Sequence, residues 1–560
     1  MQDIHVIVAG AAGEGIQTIG DLLVRLAAAH GYAVFSWKEY ESRIRGGQNR
    51  YAVRIGMEPV NAPLSEADIL LALNKGALAK YEKLLKDNGI IISPEKDNRD
   101  RFLSIPFADI AKHEIGQTIY ANTLAIGALV SALGMDLEIT KGVVKNVFSK
   151  KGEDMIDKNI QALVEGFNRA GRECRDRCPW NLPLREDRYY VLTANEAIPM
   201  AAAYAGCRFI SAYPMTPSTG IITFLAKEKD RLGVFVEQAE DEIAAVNMAI
   251  GASYAGARAM TATSGGGFAL MVEGISLAGM TETPLVVVLA QRPGPATGLP
   301  TRTAQGDLLF AVNAGHGEFP KMVLAPSDPL DAFYKTVMAF NLADQYQTPV
   351  ILLTDQFLAD SHFSFKDFEP WDVTPKFHWA GTGNHNEYKR YRLTESGISP
   401  RLYPGQSKHL VCADSDEHNE YGHITEDLEK MAPAMAKKRM LKLDMLKKSV
   451  HPPEEVATKG ADFILVSWGS TRGSVLEAIS LMRGTGVKAG MIHFTELWPL
   501  PKYEFPRGKA LYIVENNASG QLSRLLRSQY NISSRGFVHR FDGLPLTAGY
   551  IRRVYHEHNG

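Results

Sequence analysis

The sequence predicts an α/β protein that contains three domains of alternating strands and helices. Short apolar runs bounded by turn residues, typical of buried strands, recur with helical segments between them in residues 4–93, 208–354 and 463–515. Hydrophobic residues make up 45% of the chain and charged residues 22%, an ordinary balance for a globular protein. A length of 560 residues allows roughly three or four domains. We expect βα-type domains at 1–180, 188–360 and 460–560, with an irregular excursion and a helical connector at 361–459.

Composition and charge exclude several classes of protein. The formal net charge is -2, so the chain offers no overall positive field for nucleic acid. The first residues lack the basic and apolar regions of a signal peptide, and no apolar stretch of about 18 residues could span a membrane. We therefore expect a cytoplasmic protein that binds neither nucleic acid nor membrane.

The cysteines are too scattered to hold a metal. Cys174 and Cys178 are close in sequence, but no second pair and no nearby histidine completes a zinc or iron–sulfur ligand set. Cys207 and Cys412 lie far from them and from each other. This distribution favours a reducing compartment over a disulfide framework, and it predicts no metal site in this chain.

The first domain begins with a strand, a glycine-rich turn and a helix. Residues 4–9 are apolar, Gly-Ala-Ala-Gly-Glu-Gly occupies 10–15, and an apolar helix is predicted at 16–30. In this order, the backbone N–H groups at the helix start favour an anion such as phosphate, with Gly13 and Gly15 as candidate contacts. The spacing of the glycines differs from that of the dinucleotide-binding turn, and tight packing alone explains it equally well.

A cationic loop follows at residues 41–50. Arg43, Arg45 and Arg50 surround a pair of glycines, which suits a phosphate or a carboxylate. A solvated surface loop has the same composition, so both interpretations stay open. An acidic residue at the end of a second strand would indicate a ribose contact, but the nearest candidate, Glu39, ends no convincing strand.

The middle domain has the pattern of a doubly wound sheet. A charged, proline-containing linker at 172–188 precedes it, and the sequence from Thr193 to Glu196 predicts a capping box that opens a helix. Its predicted strands are 208–212, 234–238, 259–263, 284–290, 321–324 and 349–354. Regularity then falls until a helix at 430–449, and the last domain has predicted strands at 463–470, 488–493 and 510–515.

Residues 213–219 form a stiff turn after the first of these strands. Their two prolines forbid a helix before Ser218 or Thr219, either of which can cap the helix that follows. The turn thus presents Thr216 on a fixed backbone. Taken alone, it is more typical of an ordinary strand-to-helix connection than of a site.

Two further loops follow strands of the same sheet. Residues 264–268 contain three consecutive glycines, which allow the backbone to approach a ligand closely. Residues 291–303 include Arg292, whose guanidinium can either clamp a carboxylate or pair with a local acid such as Glu282. Because ligands collect at the carboxyl ends of the strands in open α/β sheets, the three loops together predict a site.

A run of acidic residues opens the helix between these loops. Glu240 and Glu242 precede an apolar stripe of Ile243, Val246 and Ile250. Glu242 borders the buried face, so we expect a half-buried carboxyl with a raised pKa that can pass a proton. Acids in a first turn also favour the helix dipole, and spacing alone does not separate Glu240 from Glu242.

The three loops, taken together, are similar to those of a known enzyme family. Tyr-Pro-Met-Thr-Pro-Ser-Thr at 213–219, Thr-Ser-Gly-Gly-Gly-Phe at 263–268 and Arg-Pro-Gly-Pro-Ala-Thr-Gly-Leu-Pro-Thr at 292–301 resemble the α-subunits of 2-oxoacid:ferredoxin oxidoreductases. The last loop, followed by Gln-Gly-Asp at 305–307, is most like that of enzymes acting on 2-oxoglutarate.

The resemblance extends over nearly the whole chain. The glycine-rich start and Glu-Ser-Arg-Ile-Arg-Gly-Gly at 41–47 resemble a γ-domain fused in front of the α-subunit. Trp-Pro-Leu-Pro at 498–501 and Glu-Asn-Asn-Ala-Ser-Gly-Gln at 515–521 resemble a transketolase-C-like domain. The middle domain would then be the one that binds the pyrimidine of thiamine diphosphate.

The resemblance implies an enzyme that uses thiamine diphosphate and coenzyme A and passes electrons to ferredoxin. The implied reaction is the oxidative decarboxylation of 2-oxoglutarate to succinyl-CoA, or the reverse reductive carboxylation. The same chemistry on branched-chain or aryl 2-oxoacids is the alternative among enzymes. A scaffold subunit that only holds coenzyme A or a nucleotide is the alternative outside them.

The resemblance also assigns roles to individual residues. Glu242 is similar to the glutamate that hydrogen-bonds the thiamine aminopyrimidine, with Glu240 as the reserve candidate. The candidate substrate contacts are Tyr213, Thr216, Arg292, Thr301 and Arg302. Of these, Arg302 is the candidate for a second carboxylate. The other candidate cofactor contacts are Pro214, Met215, Ser264, Gly265 and Gly266. Coenzyme A is the implied ligand of the first domain, at Gly13, Gly15, Arg43 and Arg45.

Motifs that this chain lacks imply a second subunit. The chain has no Gly-Asp-Gly sequence for Mg2+ and diphosphate, and its cysteines do not form a set that could hold a [4Fe-4S] cluster. By the resemblance, both belong to a β-subunit. We expect thiamine diphosphate to be shared between the two chains, in an (αβ)2 assembly.

Two segments that contain histidine are interpreted as structural. Residues 416–423 could bind a metal, but their histidines lie on no regular element, so an ordinary acidic loop is favoured. His316 lies beyond the three loops, and we expect it to be structural.

Overall fold

The computed structural model of the chain describes residues 3–42, 46–174, 177–379 and 387–559. It falls into two compact units, Met1–Leu192 with Ser361–Phe368, and Thr193–Asp360 with Glu369–Gly560. Both units contain parallel strands with helices between them, which confirms the predicted α/β class. Within the described ranges, no helix combines the length and the apolar character needed to cross a membrane.

The elements are numbered in chain order. The strands are β1 (Ile4–Ala12), β2 (Ala33–Glu39), β3 (Gly46–Gly56), β4 (Ala67–Ala72), β5 (Leu85–Ser93), β6 (Phe102–Ser104), β7 (Tyr190–Leu192), β8 (Cys207–Ala212), β9 (Phe235–Gln238), β10 (Arg258–Thr263), β11 (Leu285–Gln291), β12 (Met322–Leu324), β13 (Pro349–Asp355), β14 (Phe363–Phe365), β15 (Glu454–Val456), β16 (Phe463–Trp468), β17 (Ala489–Phe494), β18 (Glu496–Trp498), β19 (Ala510–Glu515) and β20 (Gly536–His539). The α-helices are α1 (Ile16–Ala29), α2 (Lys75–Tyr81), α3 (Phe107–Ile110), α4 (Ala121–Ala132), α5 (Leu137–Phe148), α6 (Glu153–Cys174), α7 (Ala194–Tyr204), α8 (Thr219–Leu232), α9 (Glu242–Tyr254), α10 (Gly265–Met280), α11 (Leu308–Val312), α12 (Pro329–Tyr346), α13 (Gln356–Asp360), α14 (Met431–Lys447), α15 (Arg472–Gly484), α16 (Gln521–Tyr530) and α17 (Ala548–Asn559).

The first unit is built on a six-stranded sheet with the order β2-β3-β1-β4-β5-β6. Strands β1, β4, β5 and β6 run parallel, whereas β3 pairs antiparallel with both β1 and β2. Val6, Leu71 and Ile92 of these strands share one buried core with Leu23 of α1 and Leu129 of α4. This core holds the start of α1 at the end of β1.

The start of the chain differs from its prediction in two places. β1 continues to Ala12, where it still pairs with β3, so the expected turn at 10–15 begins only at Gly13. β2 and β3 were not predicted. In β3, the residues Gln48, Asn49, Arg50 and Arg54 interrupt the apolar pattern. Glu39 does end a strand, contrary to the expectation, and its carboxylate lies 2.6 Å from Arg50 Nε.

Residues 361–368 return to the first unit, although the sequence placed them in an irregular excursion. β14 pairs antiparallel with β7, with Phe363 opposite Leu192. Ser364 Oγ accepts a hydrogen bond from Val34 N at 2.6 Å and donates one to Val34 O at 2.7 Å. The segment is therefore bonded to the edge of β2 as well as to β7.

A disulfide joins Cys174 and Cys178 just after α6. The expectation that these cysteines form no disulfide was therefore wrong. The end of the helix places their Cα atoms 5.1 Å apart, within the range that a disulfide requires. Cys207 and Cys412 are free thiols, as expected.

The second unit contains a seven-stranded sheet with the order β18-β12-β13-β11-β10-β8-β9. Its strands are parallel except β18, and all six strands predicted for the middle domain are present. The predicted capping box is also present, since Thr193 N donates to Glu196 Oε2 at 2.9 Å at the start of α7. A second sheet has the order β15-β17-β16-β19-β20. One core cluster joins Ile351 of the first sheet to Trp468 and Ile513 of the second.

A buried charge cluster attaches α14 to the rest of the second unit. The Glu282 side chain, 1% exposed, accepts hydrogen bonds from Lys438 Nζ at 2.6 and 2.8 Å and from Lys442 Nζ. Burial raises the pKa of Glu282, but the two ammonium groups outweigh that effect and hold the pKa well below its usual range. Burial also lowers the pKa of Lys442 to about 7. A single carboxylate thus compensates two buried amines.

Replacing Glu282 with Gln should destabilise the protein strongly. The change leaves the amines of Lys438 and Lys442 buried without their counter-charge, and breaking a buried ion pair costs about 3–5 kcal/mol. The midpoint of urea unfolding, followed by tryptophan fluorescence, measures the loss. Glu228→Gln is the matched control, because Glu228 pairs at 3.0 Å with Arg231, whose side chain is 70% exposed. We expect that control to cost no more than about 0.5 kcal/mol. Equal midpoints for the two variants would contradict the role of the cluster.

Candidate active site

The three loops singled out in the sequence meet at the carboxyl ends of β8, β10 and β11. Arg292 Nη1 donates a hydrogen bond to the main-chain oxygen of Thr216 at 2.6 Å. Thr263 Oγ1 lies 3.9 Å from Met215 Sδ. These contacts join the loop after β8 to the loops after β11 and β10. The adjacency follows from the strand order, since β11, β10 and β8 are neighbours.

The loop after β8 is held by its own side chains. The Thr216–Pro217 peptide bond is cis. Ser218 Oγ donates to Met215 O at 2.7 Å, so it closes the turn and does not cap α8, contrary to one reading of the sequence. Tyr213 is 40% exposed, whereas Pro214, Met215 and Thr216 are half-buried. The turn therefore offers one exposed aromatic ring and a rigid backbone.

Glu242 begins α9 and lies in the buried stripe of that helix. Asp241 caps the helix by accepting a hydrogen bond from Ala244 N at 2.7 Å. This cap sets the phase of the helix so that Glu242 is 3% exposed, whereas Ile243 is 51% exposed. The expectation of a half-buried carboxyl at the border of an Ile243 stripe was therefore wrong. Glu240 lies before the helix and is exposed.

The carboxyl of Glu242 is buried against the first turn of α10. A Cβ atom added to Gly267 would lie 2.4 Å from Glu242 Oε1 and 2.1 Å from Thr263 Oγ1, so only glycine fits there. Among the described residues, Glu242 Oε1 and Ser264 Oγ have no hydrogen-bond partner. Burial raises the pKa of Glu242, and the neighbouring Asp241 raises it further. The site therefore contains a buried carboxyl whose pKa is raised and whose Oε1 has no hydrogen-bond partner in the described part of the chain.

Arg292 is not the partner of Glu282. Glu282 is occupied by Lys438 and Lys442, so that alternative for the guanidinium was wrong. Burial lowers the pKa of Arg292, and the charge of Asp307 partly offsets the effect. The guanidinium thus lies at the junction of two loops in a partly desolvated environment, where it can hold a carboxylate.

The loop that begins at Arg292 is anchored to the second sheet. Gln305 Nε2 donates to Trp468 O at 2.9 Å, and its Oε1 accepts from Asn516 N at 3.0 Å. Thr301 is buried, and Arg302 lies beside Gly543, where an added Cβ would be 3.0 Å from the Arg302 Cβ. The last domain therefore shapes the loop that carries the candidate substrate contacts.

Asp307 was not singled out in the sequence, yet it belongs to this cluster. A Cβ added to Gly265 would lie 2.7 Å from Asp307 Oδ2, which has no hydrogen-bond partner in the described part of the chain. Burial raises the pKa of Asp307 to about 6, with Arg292 opposing the shift. The sequence contained one indication of Asp307, the Gln-Gly-Asp run at 305–307. Only the fold shows that Asp307 lies against Gly265.

The residues present fit the aminopyrimidine of thiamine diphosphate. A buried carboxyl with an unpartnered oxygen, as at Glu242, can exchange a hydrogen bond with a ring nitrogen. The glycines at 265 and 267 let Asp307 and Glu242 approach the start of α10 closely, and Ser264 Oγ offers a second polar contact. Gly266 leaves open space, since an added Cβ would meet only Ala296 O at 3.8 Å.

A separate cavity lies in the first unit, at the start of α1. Its volume is about 370 Å³, and Gly13, Gly15, Lys38, Tyr40 and Arg50 are among the residues that line it. Gly15 has a φ of 85°, a left-handed conformation that favours glycine. Two of the four coenzyme A candidates thus line a cavity. Arg43 and Arg45 lie outside the described residues.

The described residues hold no cluster of three or more His, Cys, Asp or Glu side chains suited to a metal ion. In the segment 416–423, Glu417 pairs with Arg439, and the ring of His418 lies 4.0 Å from that of Tyr391. His316 is exposed, and its main-chain N donates to Ser276 Oγ at 2.8 Å. These contacts give Glu417 and His418 protein partners, and they join the backbone of His316 to α10.

Known proteins similar to this chain are named as oxidoreductases of pyruvate, of 2-oxoacids or of 2-oxoglutarate. A family described as "Pyruvate flavodoxin/ferredoxin oxidoreductase, thiamine diP-bdg" matches residues 200–437, and one described as "Pyruvate ferredoxin/flavodoxin oxidoreductase" matches 5–169. The α-subunit of 2-oxoacid:ferredoxin oxidoreductase 2 from Aeropyrum pernix is 31% identical, over 99% of this chain and 98% of the relative. The 2-oxoglutarate oxidoreductase subunit KorA of Mycobacterium tuberculosis is 28% identical, over 99% and 91%.

A solved structure is similar over the full length. It is the 2-oxoglutarate:ferredoxin oxidoreductase from Magnetococcus marinus with 2-oxoglutarate, coenzyme A and succinyl-CoA bound. The TM-score is 0.92 with 33% sequence identity, and the match covers 100% of both chains.

Gly267→Ala should weaken the binding of thiamine diphosphate about 5- to 150-fold, because overpacking at Glu242 and Thr263 costs about 1–3 kcal/mol. Titration calorimetry on the chain purified with its partner subunit measures the affinity. Gly251→Ala in α9 is the matched control, since it gains the same helix propensity while its added methyl lies on an exposed face with nothing within 4 Å. The close approach of Glu242 would be irrelevant if both variants bound the cofactor equally well.

Proposed function

The chain belongs to the family of thiamine-diphosphate-dependent 2-oxoacid:ferredoxin oxidoreductase α-subunits, and we propose that its substrate is 2-oxoglutarate. In this proposal it works with a β-subunit, converts 2-oxoglutarate and coenzyme A to succinyl-CoA and carbon dioxide, and reduces ferredoxin. Family membership makes it an enzyme subunit, so the scaffold alternative is not retained. The observation that best supports this site is the buried carboxyl of Glu242 beside the glycines of α10. Its Oε1 has no hydrogen-bond partner among the described residues.

Thiamine diphosphate, when bound, supplies the nucleophilic carbon and the electron sink that decarboxylation of a 2-oxoacid requires. Glu242, whose pKa is raised by burial, would exchange a hydrogen bond with the aminopyrimidine nitrogen through its buried carboxyl. Pro214, Met215, Ser264, Gly265 and Gly266 form the remaining wall. Arg292 orients the reacting carboxylate by charge, while Thr216 fixes the guanidinium through its main-chain oxygen.

The preference for 2-oxoglutarate rests on the second carboxylate of that substrate. A dicarboxylic acid needs a second cation, and Arg302 follows the buried Thr301 in the same loop as Arg292. The similar Magnetococcus marinus enzyme contains bound 2-oxoglutarate, which supports the same assignment here. Branched-chain and aryl 2-oxoacids lack the second carboxylate and would not make a contact of that kind with Arg302.

Coenzyme A is proposed to bind in the first unit. The cavity lined by Gly13 and Gly15 supports this, because its glycines lie at a helix start and Lys38 adds positive charge. Arg43 and Arg45 follow β2 in the sequence and complete the proposed set. The β-subunit would supply Mg2+, the diphosphate contacts and a [4Fe-4S] cluster in an (αβ)2 complex.

A panel of 2-oxoacids tests the substrate assignment. The chain is produced with its β-subunit, and coenzyme A-dependent ferredoxin reduction is measured. We expect kcat/KM for 2-oxoglutarate to exceed that for 2-oxoisovalerate and phenylpyruvate at least about 100-fold, since those acids cannot make the charge-assisted hydrogen bonds of a second carboxylate. Arg302→Met should remove most of this preference while leaving kcat/KM for 2-oxobutyrate within about threefold. A higher kcat/KM for a branched or aryl acid would contradict the assignment.

Glu242→Gln should slow the exchange of the thiazolium C2 proton of bound thiamine diphosphate at least about 100-fold, because an amide cannot give or take the proton. Exchange into deuterium oxide, followed by NMR after acid quench, measures the rate. Glu240→Gln is the matched control, since Glu240 is exposed and outside the helix, and it should exchange at the wild-type rate. If Glu240→Gln slowed the proton exchange and Glu242→Gln did not, the contact with the aminopyrimidine would be assigned to Glu240.

A further inference from the structure

Asp307 is a carboxyl of the active site to which no role has been given. It follows the loop that begins at Arg292 and precedes α11. Its Oδ2 is buried and has no hydrogen-bond partner among the residues that the structure describes. The carboxyl lies against Gly265, two residues before the glycine that faces Glu242. The first turn of α10 therefore meets two carboxyls, each with an unpartnered oxygen.

Neighbouring amides hold Asp307 in place. Its main-chain N donates to Gln291 Oε1 at 2.9 Å, and Gln291 Nε2 donates to Thr354 O at 3.1 Å. On the other side, Gln521 Nε2 donates to Gly306 O, and Gln521 Oε1 accepts from Leu309 N at 2.9 Å. Three of these bonds involve the backbone of residues 306–309, and the bond to Thr354 fixes the Gln291 side chain. They position the residue and leave its carboxyl without a donor.

The chemistry of the proposed substrate decides what this carboxyl can do. The carboxylates and the oxo group of a 2-oxoacid accept hydrogen bonds and donate none. An ionised Asp307 would repel an anion held by Arg292, whereas a protonated Asp307 can donate to it. Two carboxyls that share one site favour holding a proton between them. The charged groups of the surrounding loops are Arg292, Arg302 and Glu242, and Arg292 is the one that acts on Asp307 electrostatically.

We propose that Asp307 is a further substrate-binding residue, which takes up a proton when the 2-oxoacid binds and donates a hydrogen bond to it beside Arg292. This inference rests on the proposed function. In the free protein, burial places the pKa of Asp307 at about 6, so the group is largely ionised above pH 7. The arriving anion raises that pKa. Substrate binding is therefore coupled to the uptake of one proton.

Calorimetry in paired buffers tests the coupling. The αβ complex loaded with thiamine diphosphate is titrated at about pH 7.5 with N-oxalylglycine, an unreactive mimic of 2-oxoglutarate, in two buffers of different ionisation enthalpy. We expect uptake of about one proton per site in the wild type. Asp307→Asn keeps a donor and should bind within about tenfold of wild type with no proton uptake. Asp307→Leu lacks a donor and should bind more than about tenfold more weakly.

Asp331→Asn is the control. Burial also raises the pKa of Asp331 to about 6, but its carboxyl accepts a hydrogen bond from Ser327 N at 2.9 Å and lies outside the three loops. It should show the proton uptake of the wild type. The proposal is overturned if the wild type takes up no proton, or if Asp307→Asn takes up the same number.

The pH profile of kcat/KM separates this inference from the substrate assignment. For whichever 2-oxoacid the complex turns over, kcat/KM should fall about tenfold per pH unit above the pKa of Asp307 in the substrate-free enzyme. This alkaline limb of the profile should be absent from Asp307→Asn. If the best substrate is not 2-oxoglutarate, the assignment fails while Asp307 is still tested by this limb. A limb that persists unchanged in Asp307→Asn overturns the role of Asp307.

Discussion

A carboxylate removed from water without a partner is the constraint on which the middle domain depends. Leaving a buried polar group unsatisfied costs about 1–3 kcal/mol, so Glu242 Oε1 is stable in this position only where a ligand supplies the missing bond. That requirement explains the glycine at residue 267, since any side chain there would displace the carboxyl. It also explains the cap at Asp241, which turns Glu242 inward. The first turns of α9 and α10 are thus arranged around Oε1 of Glu242.

Strands that are buried on both faces were predictable, because their apolar runs are continuous and bounded by turn residues. The convergence of the loops followed from the same reasoning, since neighbouring parallel strands share an edge. The phase of α9 was not predictable, because Ile243 is apolar yet exposed and Asp241 decides the start of the helix. β3 was missed because polar residues alternate with its buried ones. Asp307 needed the fold, since its contact with Gly265 joins residues distant in sequence.

The loop that begins at Arg292 is held at both ends by amide side chains. Gln291 bonds the end of β11 to β13, and Gln305 bonds the far end to the strand ends of the second sheet. Neutral amides suit this task, because they satisfy backbone groups without adding a charge beside Arg292 and Asp307. The second sheet therefore contributes to the candidate site by holding a loop, and the charged groups of that site come from the elements of the seven-stranded sheet.

The return of residues 361–368 to the first unit has a consequence for how the protein is made. β14 completes a strand pair with β7, and Ser364 satisfies the backbone of Val34 in β2. During synthesis the first unit emerges from the ribosome early, yet its β2 edge stays open until the chain has passed through the whole parallel sheet of the middle domain. Completion of the first unit thus waits on translation of the second, and a fragment ending at residue 192 would expose that edge to other chains.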